Sequence, residues 1–132
     1  MTLAAPAPIA VVADDDEDIL TLVSITLRHA GFDVLCARDG EEAVTLVTET
    51  RPALVVLDVM MPRLNGLEVT RHLRALRKTM PIVLLTASVQ EQHREEGFAA
   101  GADEFMRKPF SPRELLDQVG RLVAPNGRPA GV

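Results

Sequence analysis

Acidic residues follow two apolar runs of the chain without a spacer. Asp14 and Asp15 begin a run of five consecutive acids, residues 14–18, directly after the apolar segment 9–13. Asp58 follows the apolar segment 53–57. Like charges repel one another, so this crowding is costly unless a cation lies between the carboxylates. Because carboxylates together with water are the ligands that Mg²⁺ prefers, the pattern indicates a magnesium site.

A hydroxyl group and an ammonium group follow two later apolar segments. Thr86 stands at the end of the apolar stretch 81–86, and Lys108 stands near the end of the segment 103–109. Such groups can hold phosphoryl oxygens, and an aspartate beside a divalent ion can attack phosphorus to form an aspartyl phosphate. The metal would neutralise the incoming charge and orient an in-line attack. These residue types therefore predict phosphoryl transfer to a carboxylate.

Apolar segments alternate with helical patterns along the chain, and this alternation predicts how the five groups are positioned. We predict strands at 9–13, 32–37, 53–58, 81–87 and 103–109, and helices at 16–30, 40–50, 67–78, 89–100 and 112–123. Asp39, with Glu42 three residues later, and Ser111, before Pro112, are predicted helix N-caps. Short apolar strands between helices imply one parallel sheet with helices on both faces. In such a sheet, ligands bind at the carboxyl ends of the strands, where the five groups would meet.

The rest of the acidic run has a simpler interpretation. Asp16, Glu17 and Asp18 lie at the predicted start of the first helix, where carboxylates cap free N–H groups and favour the helix dipole. The run does not fit a calcium-binding EF-hand loop, which would need glycine at Ile19 and glutamate at Ile25.

The composition limits the classes of protein to which the chain can belong. Its 132 residues are 47% hydrophobic and carry a net charge of −5, which fits one domain with an aliphatic core. The acidic balance argues against electrostatic binding of nucleic acid. The single cysteine points to a reducing, cytoplasmic compartment. The apolar N-terminal stretch has two prolines and no basic start, so we predict neither a signal peptide nor a membrane span.

Four stretches resemble the receiver domain of two-component response regulators: VVADDDEDIL (11–20), LVVLDVMMPRLNG (54–66), VLLTA (83–87) and GADEFMRKPF (101–110). The similarity covers roughly residues 9–123. It implies a doubly wound, flavodoxin-like (βα)5 fold with a five-stranded parallel sheet in the strand order 2-1-3-4-5. Residues 1–8 are then expected to form a flexible leader, and residues 124–132 a flexible tail or the start of a linker.

The resemblance also implies a chemical role for the acids. Asp58 is expected to accept a phosphoryl group from a sensor histidine kinase or a histidine phosphotransfer protein. The chain would be a signalling phosphoacceptor that catalyses only its own phosphorylation and dephosphorylation. Asp15, Asp58 and the backbone carbonyl of Met60 are expected to ligate Mg²⁺, for which Mn²⁺ can substitute. Asp14 is expected to act on the metal mainly through water.

Further implications concern the response to phosphorylation. Thr86 and Lys108 are expected to bind phosphoryl oxygens, and Phe105 matches the family's switch aromatic, which rotates inward when Thr86 moves. The Lys108–Pro109 peptide bond is expected to be cis. Met60 offers no polar group to position an attacking water, so the phosphorylated state should decay slowly.

The family's output face consists of the fourth helix, the fifth strand and the fifth helix. A downstream protein or an output domain is expected to read this face. We expect a monomer or a weak, phosphorylation-promoted dimer, and no direct contact of this domain with nucleic acid or membrane.

Two other functions remain open at this point. A receiver fold that no longer takes phosphate would act as a protein-interaction module, although the complete set of acids, threonine and lysine argues against it. An aspartate-nucleophile phosphatase of the haloacid-dehalogenase type would use Asp14 as its nucleophile. That family expects threonine where Asp18 stands.

Overall fold

Strands and helices alternate from Ile9 to Leu122 in the described part of the chain. The computed structural model describes residues 6–87 and 91–124. The strands are β1 Ile9–Ala13, β2 Asp33–Ala37, β3 Leu54–Asp58, β4 Ile82–Thr86 and β5 Glu104–Arg107. The helices are α1 Glu17–His29, α2 Gly40–Thr50, α3 Gly66–Ala75, α4 Glu91–Ala100 and α5 Pro112–Leu122. Apart from residues 6–8 and 124, the expected leader and tail lie outside the described residues.

The five strands form one parallel sheet in the order β2-β1-β3-β4-β5. This confirms the predicted doubly wound fold. Every residue of β3 and β4 is buried, as expected for central parallel strands covered on both faces. β2 and β5 lie at the edges of the sheet and are less completely buried.

Helices cover the sheet on both faces. Val11 and Ala13 of β1 belong to one apolar cluster, whereas Ala10 and Val12 belong to another. Consecutive strand residues point to opposite faces, so the two clusters lie on opposite sides of the sheet. Buried residues of α2, α3 and α4 contribute to the first cluster, and those of α1 and α5 to the second. None of the described helices combines the length and apolar character that crossing a membrane requires.

Side-chain caps determine where the helices begin. The Asp39 carboxylate accepts a hydrogen bond from the Glu42 N–H at 2.8 Å, so Asp39 is the N-cap of α2, as predicted. Ser111 accepts from the backbone N–H of the residue at the third helical position of α5, as predicted. Both halves of a capping box are present at α3, between Asn65 and Glu68.

The prediction for the end of α3 was wrong. The apolar and basic pattern predicted a helix to residue 78, but α3 ends at Ala75. Arg77 adopts a left-handed backbone with φ of 61°, and the Lys78 N–H donates to the Leu73 carbonyl at 3.0 Å. A left-handed residue closes a helix, so the chain turns here before it enters β4.

Candidate functional site

The carboxyl edge of the sheet brings three of the predicted acids together. Asp14 follows β1, Asp58 ends β3, and these two strands are neighbours in the sheet. Oxygen atoms of Asp14, Asp15 and Asp58 all lie within 4.8 Å of one another. Asp14 and Asp58 are only 0% and 5% exposed, whereas Asp15 is exposed. The cluster therefore has two buried carboxylates with a third at its opening.

Lys108 lies between the two buried acids. Its Nζ is 2.9 Å from Asp14 Oδ2 and 3.2 Å from Asp58 Oδ1. Burial disfavours the charged amine, but the hydrogen bond to Asp14 and the charges of both acids outweigh it, so the pKa of Lys108 is raised. The lysine therefore carries its full positive charge among the acids at neutral pH.

Asp58 holds its proton more tightly than an ordinary aspartate. Burial raises the pKa of its carboxyl group to about 6, the negative charge of Asp14 adds to the effect, and Lys108 opposes it. Repulsion by Asp14 thus acts on the pKa of Asp58 in the same direction as burial, and burial is the larger cause. A divalent cation beside Asp58 would favour its ionised form.

Asp14 forms hydrogen bonds with several parts of the protein. Its carboxylate accepts from the Asp16 N–H at 2.9 Å as well as from Lys108. Its own backbone N–H donates to the Ala37 carbonyl at 3.1 Å. These partners compensate for the burial of a charged group, and they hold Asp14 in place beside Asp58.

Thr86 lies next to this group at the end of β4. In the β3–β4 register Asp58 pairs with Leu85, so Thr86 follows one residue beyond. Its side chain is buried, with 3% exposure, and its carbonyl accepts from the Lys108 N–H at 2.7 Å. The four predicted segments thus meet at one edge of the sheet, as expected from the sequence.

The loop after β3 folds back tightly over Asp58. The Gly66 N–H donates to the Val59 carbonyl at 2.9 Å. A Cβ atom on Gly66 would lie 2.5 Å from the Asp58 carbonyl oxygen, so only glycine permits this approach. The side chain of Met60 in the same loop is 74% exposed. That Met60 offers its carbonyl to a metal remains a prediction.

Phe105 lies beneath α4. It is half-buried and packs against the first apolar cluster. A Cβ atom on Gly97 of α4 would come within 3.0 Å of its ring. The Lys108–Pro109 peptide bond is cis, as expected. Phe105 and Lys108 stand on the same segment. This segment therefore links the acidic cluster to the face of the sheet that α4 covers.

Two arginines at the rim were not predicted. Arg38 forms an ion pair with Glu17, and Arg63 lies 3.6 Å from Asp39 and 3.4 Å from Glu41. Exposed pairs of this kind add little to stability, because water screens their charges. Arg38 and Glu17 stand more than twenty residues apart in the chain, and so do Arg63 and Glu41. No local sequence pattern could therefore have indicated these ion pairs.

The donor set fits a hard divalent cation. Mg²⁺ takes oxygen ligands, commonly one or two carboxylates, and keeps several waters. Three carboxylate oxygens within 4.8 Å of one another can surround one such ion, directly or through a bridging water. The neighbouring ammonium and hydroxyl groups can then receive the oxygens of a phosphoryl group.

A family model and a relative of known sequence show the family to which the chain belongs. The family model for the response regulator receiver domain matches residues 10–120. The alkaline phosphatase synthesis transcriptional regulatory protein PhoP of Bacillus subtilis is 47% identical over 112 residues, which are 85% of this chain and 47% of that protein. The chain thus spans about half the length of this relative.

Solved structures of other proteins have a similar fold. The chemotaxis protein CheY4 of Vibrio cholerae is similar with a TM-score of 0.84 and 33% identity, covering 89% of this chain and 99% of that one. The receiver domain of a sensor histidine kinase of Pseudomonas aeruginosa PAO1 has a TM-score of 0.80 and 29% identity, covering 87% of this chain and 96% of that one. Its structure holds a magnesium ion coordinated in the active site cleft. From the matched family model, the strand order and the acidic edge, this chain belongs to the receiver domains of two-component response regulators.

Proposed function

We propose that Asp58 is the phosphoacceptor of this receiver domain. The observation that supports it best is the position of its carboxylate: buried at a strand end, 3.2 Å from the Lys108 Nζ and within 4.8 Å of two other acids. Asp14 is already engaged by the Asp16 N–H and by Lys108, and Asp15 is exposed. Asp58 therefore combines a protected carboxylate with neighbours that can hold both a metal and a phosphoryl group.

The phosphoryl donor would be the phosphohistidine of a sensor histidine kinase or of a phosphotransfer protein. An Asp58 oxygen attacks phosphorus, the phosphorus–nitrogen bond breaks, and its electron pair returns to the imidazole. The product is an aspartyl phosphate on this chain. In this proposal, its own residues promote the formation and hydrolysis of that bond and act on no other substrate.

Three acids of this chain would hold the cation. Asp14, Asp15 and Asp58, with the Met60 carbonyl, are the proposed ligand set, and Mn²⁺ can take the place of Mg²⁺. When bound, the ion supplies positive charge that neutralises the phosphoryl oxygens. Asp14 is held in place by its hydrogen bonds with the Asp16 N–H and with Lys108. It would therefore fix the position of the buried side of the metal site.

Lys108 and Thr86 would receive the phosphoryl oxygens. In the structure the Lys108 ammonium contacts Asp58, and we infer that it moves to the new phosphoryl group when Asp58 loses its negative charge. Thr86 follows Leu85, the register partner of Asp58 in β4, and we infer that a phosphoryl group on Asp58 would come within reach of its hydroxyl group.

Movement of Thr86 would be coupled to Phe105 and so to the output face of α4, β5 and α5. Phe105 borders an open groove of about 430 Å³ that Glu114 and Gln118 of α5 also line. A change in the position of its ring would therefore alter this face. Phosphorylation would then stabilise one of two arrangements of this face.

The decay of the aspartyl phosphate should be slow. The Met60 side chain is exposed near Asp58 and has no group that could hold a water for attack on phosphorus. The half-life after removal of the donor, followed by intact mass, tests this. A half-life of seconds would contradict it.

The partners of the whole protein belong to this proposal as well. Since PhoP of Bacillus subtilis is a transcriptional regulatory protein, we infer that the output face of this chain acts on a transcription-regulating segment or partner. We place the receiver unit at residues 9–123, in the cytoplasm, as a monomer or a weak dimer that phosphorylation promotes.

Intact mass after incubation with acetyl phosphate tests the central assignment. With Mg²⁺, the wild type should gain the mass of one phosphoryl group; with EDTA it should gain none. Asp58→Asn should gain none in either case, while Asp33→Asn, which changes an exposed acid of β2, should behave as wild type. Labelling that persists in Asp58→Asn would move the acceptor elsewhere, for instance to Asp14. A folded wild type that gains no mass would indicate a phosphate-independent interaction module.

A further inference from the structure

A groove lies at the opposite edge of the sheet from the acids, where β3 and β4 begin. Its volume is about 340 Å³, and its apolar lining includes Val47, Pro52, Met80 and Pro81. Pro52 and Pro81 come shortly before β3 and β4, and Val47 lies in the last turn of α2. We call it the α2–α3 groove because residues at the ends of both helices border it.

Three cations surround this apolar lining. Arg51, Arg77 and Lys78 border the groove; both arginines are exposed and the lysine is half-buried. None of the ion pairs formed within the described part of the chain involves these three side chains. On a chain with a net charge of −5, they form a local group of positive charges without an ion pair among the described residues.

Both arginines adopt a backbone conformation that favours glycine. The φ angles are 54° at Arg51 and 61° at Arg77. After α1 and α4 the chain uses Gly31 and Gly101 instead, with φ of 101° and 112°, as is usual at helix ends. The helix dipole favours a cation at such an end. Because α2 and α3 end at the same edge of the sheet, the cations that follow them meet at this groove.

One wall of the groove is held in place by the protein itself. The Arg74 guanidinium donates to the carbonyls of Lys78 and Met80 at 2.8 Å and 2.9 Å. The Arg77 N–H donates to the Arg74 carbonyl at 2.9 Å. A wall fixed in advance loses little conformational freedom when a ligand binds.

We propose that the α2–α3 groove binds a short acidic segment of a partner protein. An apolar side chain of that segment packs on Pro52, Pro81 and Met80, and its carboxylates lie at the three cations. Charge complementarity selects this partner, because a basic or neutral segment gains nothing from Arg51 and Arg77. The groove is open to solvent and both arginines are exposed, which suits an extended segment that crosses it. This site lies far from Asp58 and does not depend on the function proposed above.

Binding of a fluorescent peptide of glutamate and leucine to the full chain tests the proposal. Fluorescence anisotropy at low ionic strength should show saturable binding that weakens as salt screens the charges. The matched peptide with glutamine in place of glutamate should bind about tenfold more weakly, because each exposed ion pair contributes up to about fivefold.

Glycine variants remove the charges without disturbing the backbone. Arg51→Gly combined with Arg77→Gly suits the positive φ angles and should fold, yet bind the glutamate peptide about tenfold more weakly than wild type. Arg28→Gln serves as the matched control, since it removes a cation from the last turn of α1 on the other face of the sheet. Its affinity for the peptide should equal that of wild type.

Several outcomes would overturn the proposal. They are the lack of saturable binding, equal affinity for the glutamine peptide, and unchanged affinity in the glycine double variant. Binding to phosphatidylglycerol vesicles without binding to the peptide would reassign the surface to a membrane. Self-association of the wild type that the double variant loses would reassign it to a second copy of the chain.

Discussion

The carboxyl group of Asp58 makes folding depend on pH. Its pKa is about 6 in the folded protein, above its ordinary value of 3.8, mainly because it is buried. The folded state therefore binds a proton more tightly than the unfolded chain, and stability falls as pH rises through this interval. The difference between the two pKa values corresponds to about 3 kcal/mol. This cost is absent below about pH 4 and complete above about pH 7.

Asp58→Asn should consequently stabilise the protein. In EDTA at pH 7, its free energy of unfolding should exceed that of wild type by up to about 3 kcal/mol, and the difference should vanish near pH 4. Urea denaturation at a series of pH values measures both curves. The exposed control Asp33→Asn should remain within about 0.5 kcal/mol of wild type. Equal stability of Asp58→Asn and wild type at pH 7 would show that Asp58 titrates as an ordinary acid.

Among the structural elements, α3 is linked to neighbouring segments by several hydrogen bonds from one side chain. The half-buried Arg74 donates to the carbonyls of Gly101, Lys78 and Met80 and to the Asp103 carboxylate, all at 2.8 to 2.9 Å. Asp103 also accepts from a backbone N–H of β4 at 2.8 Å. This network connects the end of α3 with the start of β4 and the turn after α4.

Arg74→Ala should lower the free energy of unfolding by about 3 kcal/mol. The reason is that partly buried carbonyl groups would lose their donors. Arg71→Ala changes an exposed arginine of the same helix and should cost no more than about 0.5 kcal/mol. Urea denaturation distinguishes the two. A similar loss in both variants would mean that the removal of a positive charge from α3, and not this network, determines the effect.

Two glycines at helical positions should respond oppositely to alanine. On Gly120, within α5, a Cβ atom would meet nothing within 4 Å, so Gly120→Ala should stabilise by up to about 1 kcal/mol. On Gly66 a Cβ atom would lie 2.5 Å from the Asp58 carbonyl, and Gly66→Ala should destabilise by about 1–3 kcal/mol. Thermal denaturation shows whether each variant is more or less stable than wild type. A stabilised Gly66→Ala would show that the loop after β3 can relax away from Asp58.

Folding of the whole molecule brings Asp14, Asp15 and Asp58 together from separate segments. Repulsion between their charges lowers the stability of the folded state. A cation bound only by the folded state adds stability. Saturating Mg²⁺ should therefore raise the free energy of unfolding of the wild type, by about 3 kcal/mol at a free concentration of about one hundred times Kd. Differential scanning fluorimetry with Mg²⁺ and with EDTA measures the change. Asp15→Asn should reduce it. An increase in Tm that Asp15→Asn leaves unaltered would place the ion elsewhere.

Much of the fold was predictable because it depends on local patterns. Continuous apolar runs indicate strands that are buried on both faces, and β3 and β4 are indeed buried throughout. Asp39 and Ser111 precede helices and cap them. The end of α3 was not predictable, since the left-handed turn at Arg77 depends on the carbonyl contacts that Arg74 makes with distant segments.

By itself, the sequence determined which acids follow the strands, and hence that Asp14, Asp15 and Asp58 would meet at the carboxyl edge of a parallel sheet. Only the tertiary structure decided that the Lys108 ammonium lies between Asp14 and Asp58, and that burial more than repulsion raises the pKa of Asp58. It likewise decided that Arg51 and Arg77 border one groove. The physical reason is that such contacts depend on strand register and side-chain packing between segments far apart in the chain, which local periodicity does not specify.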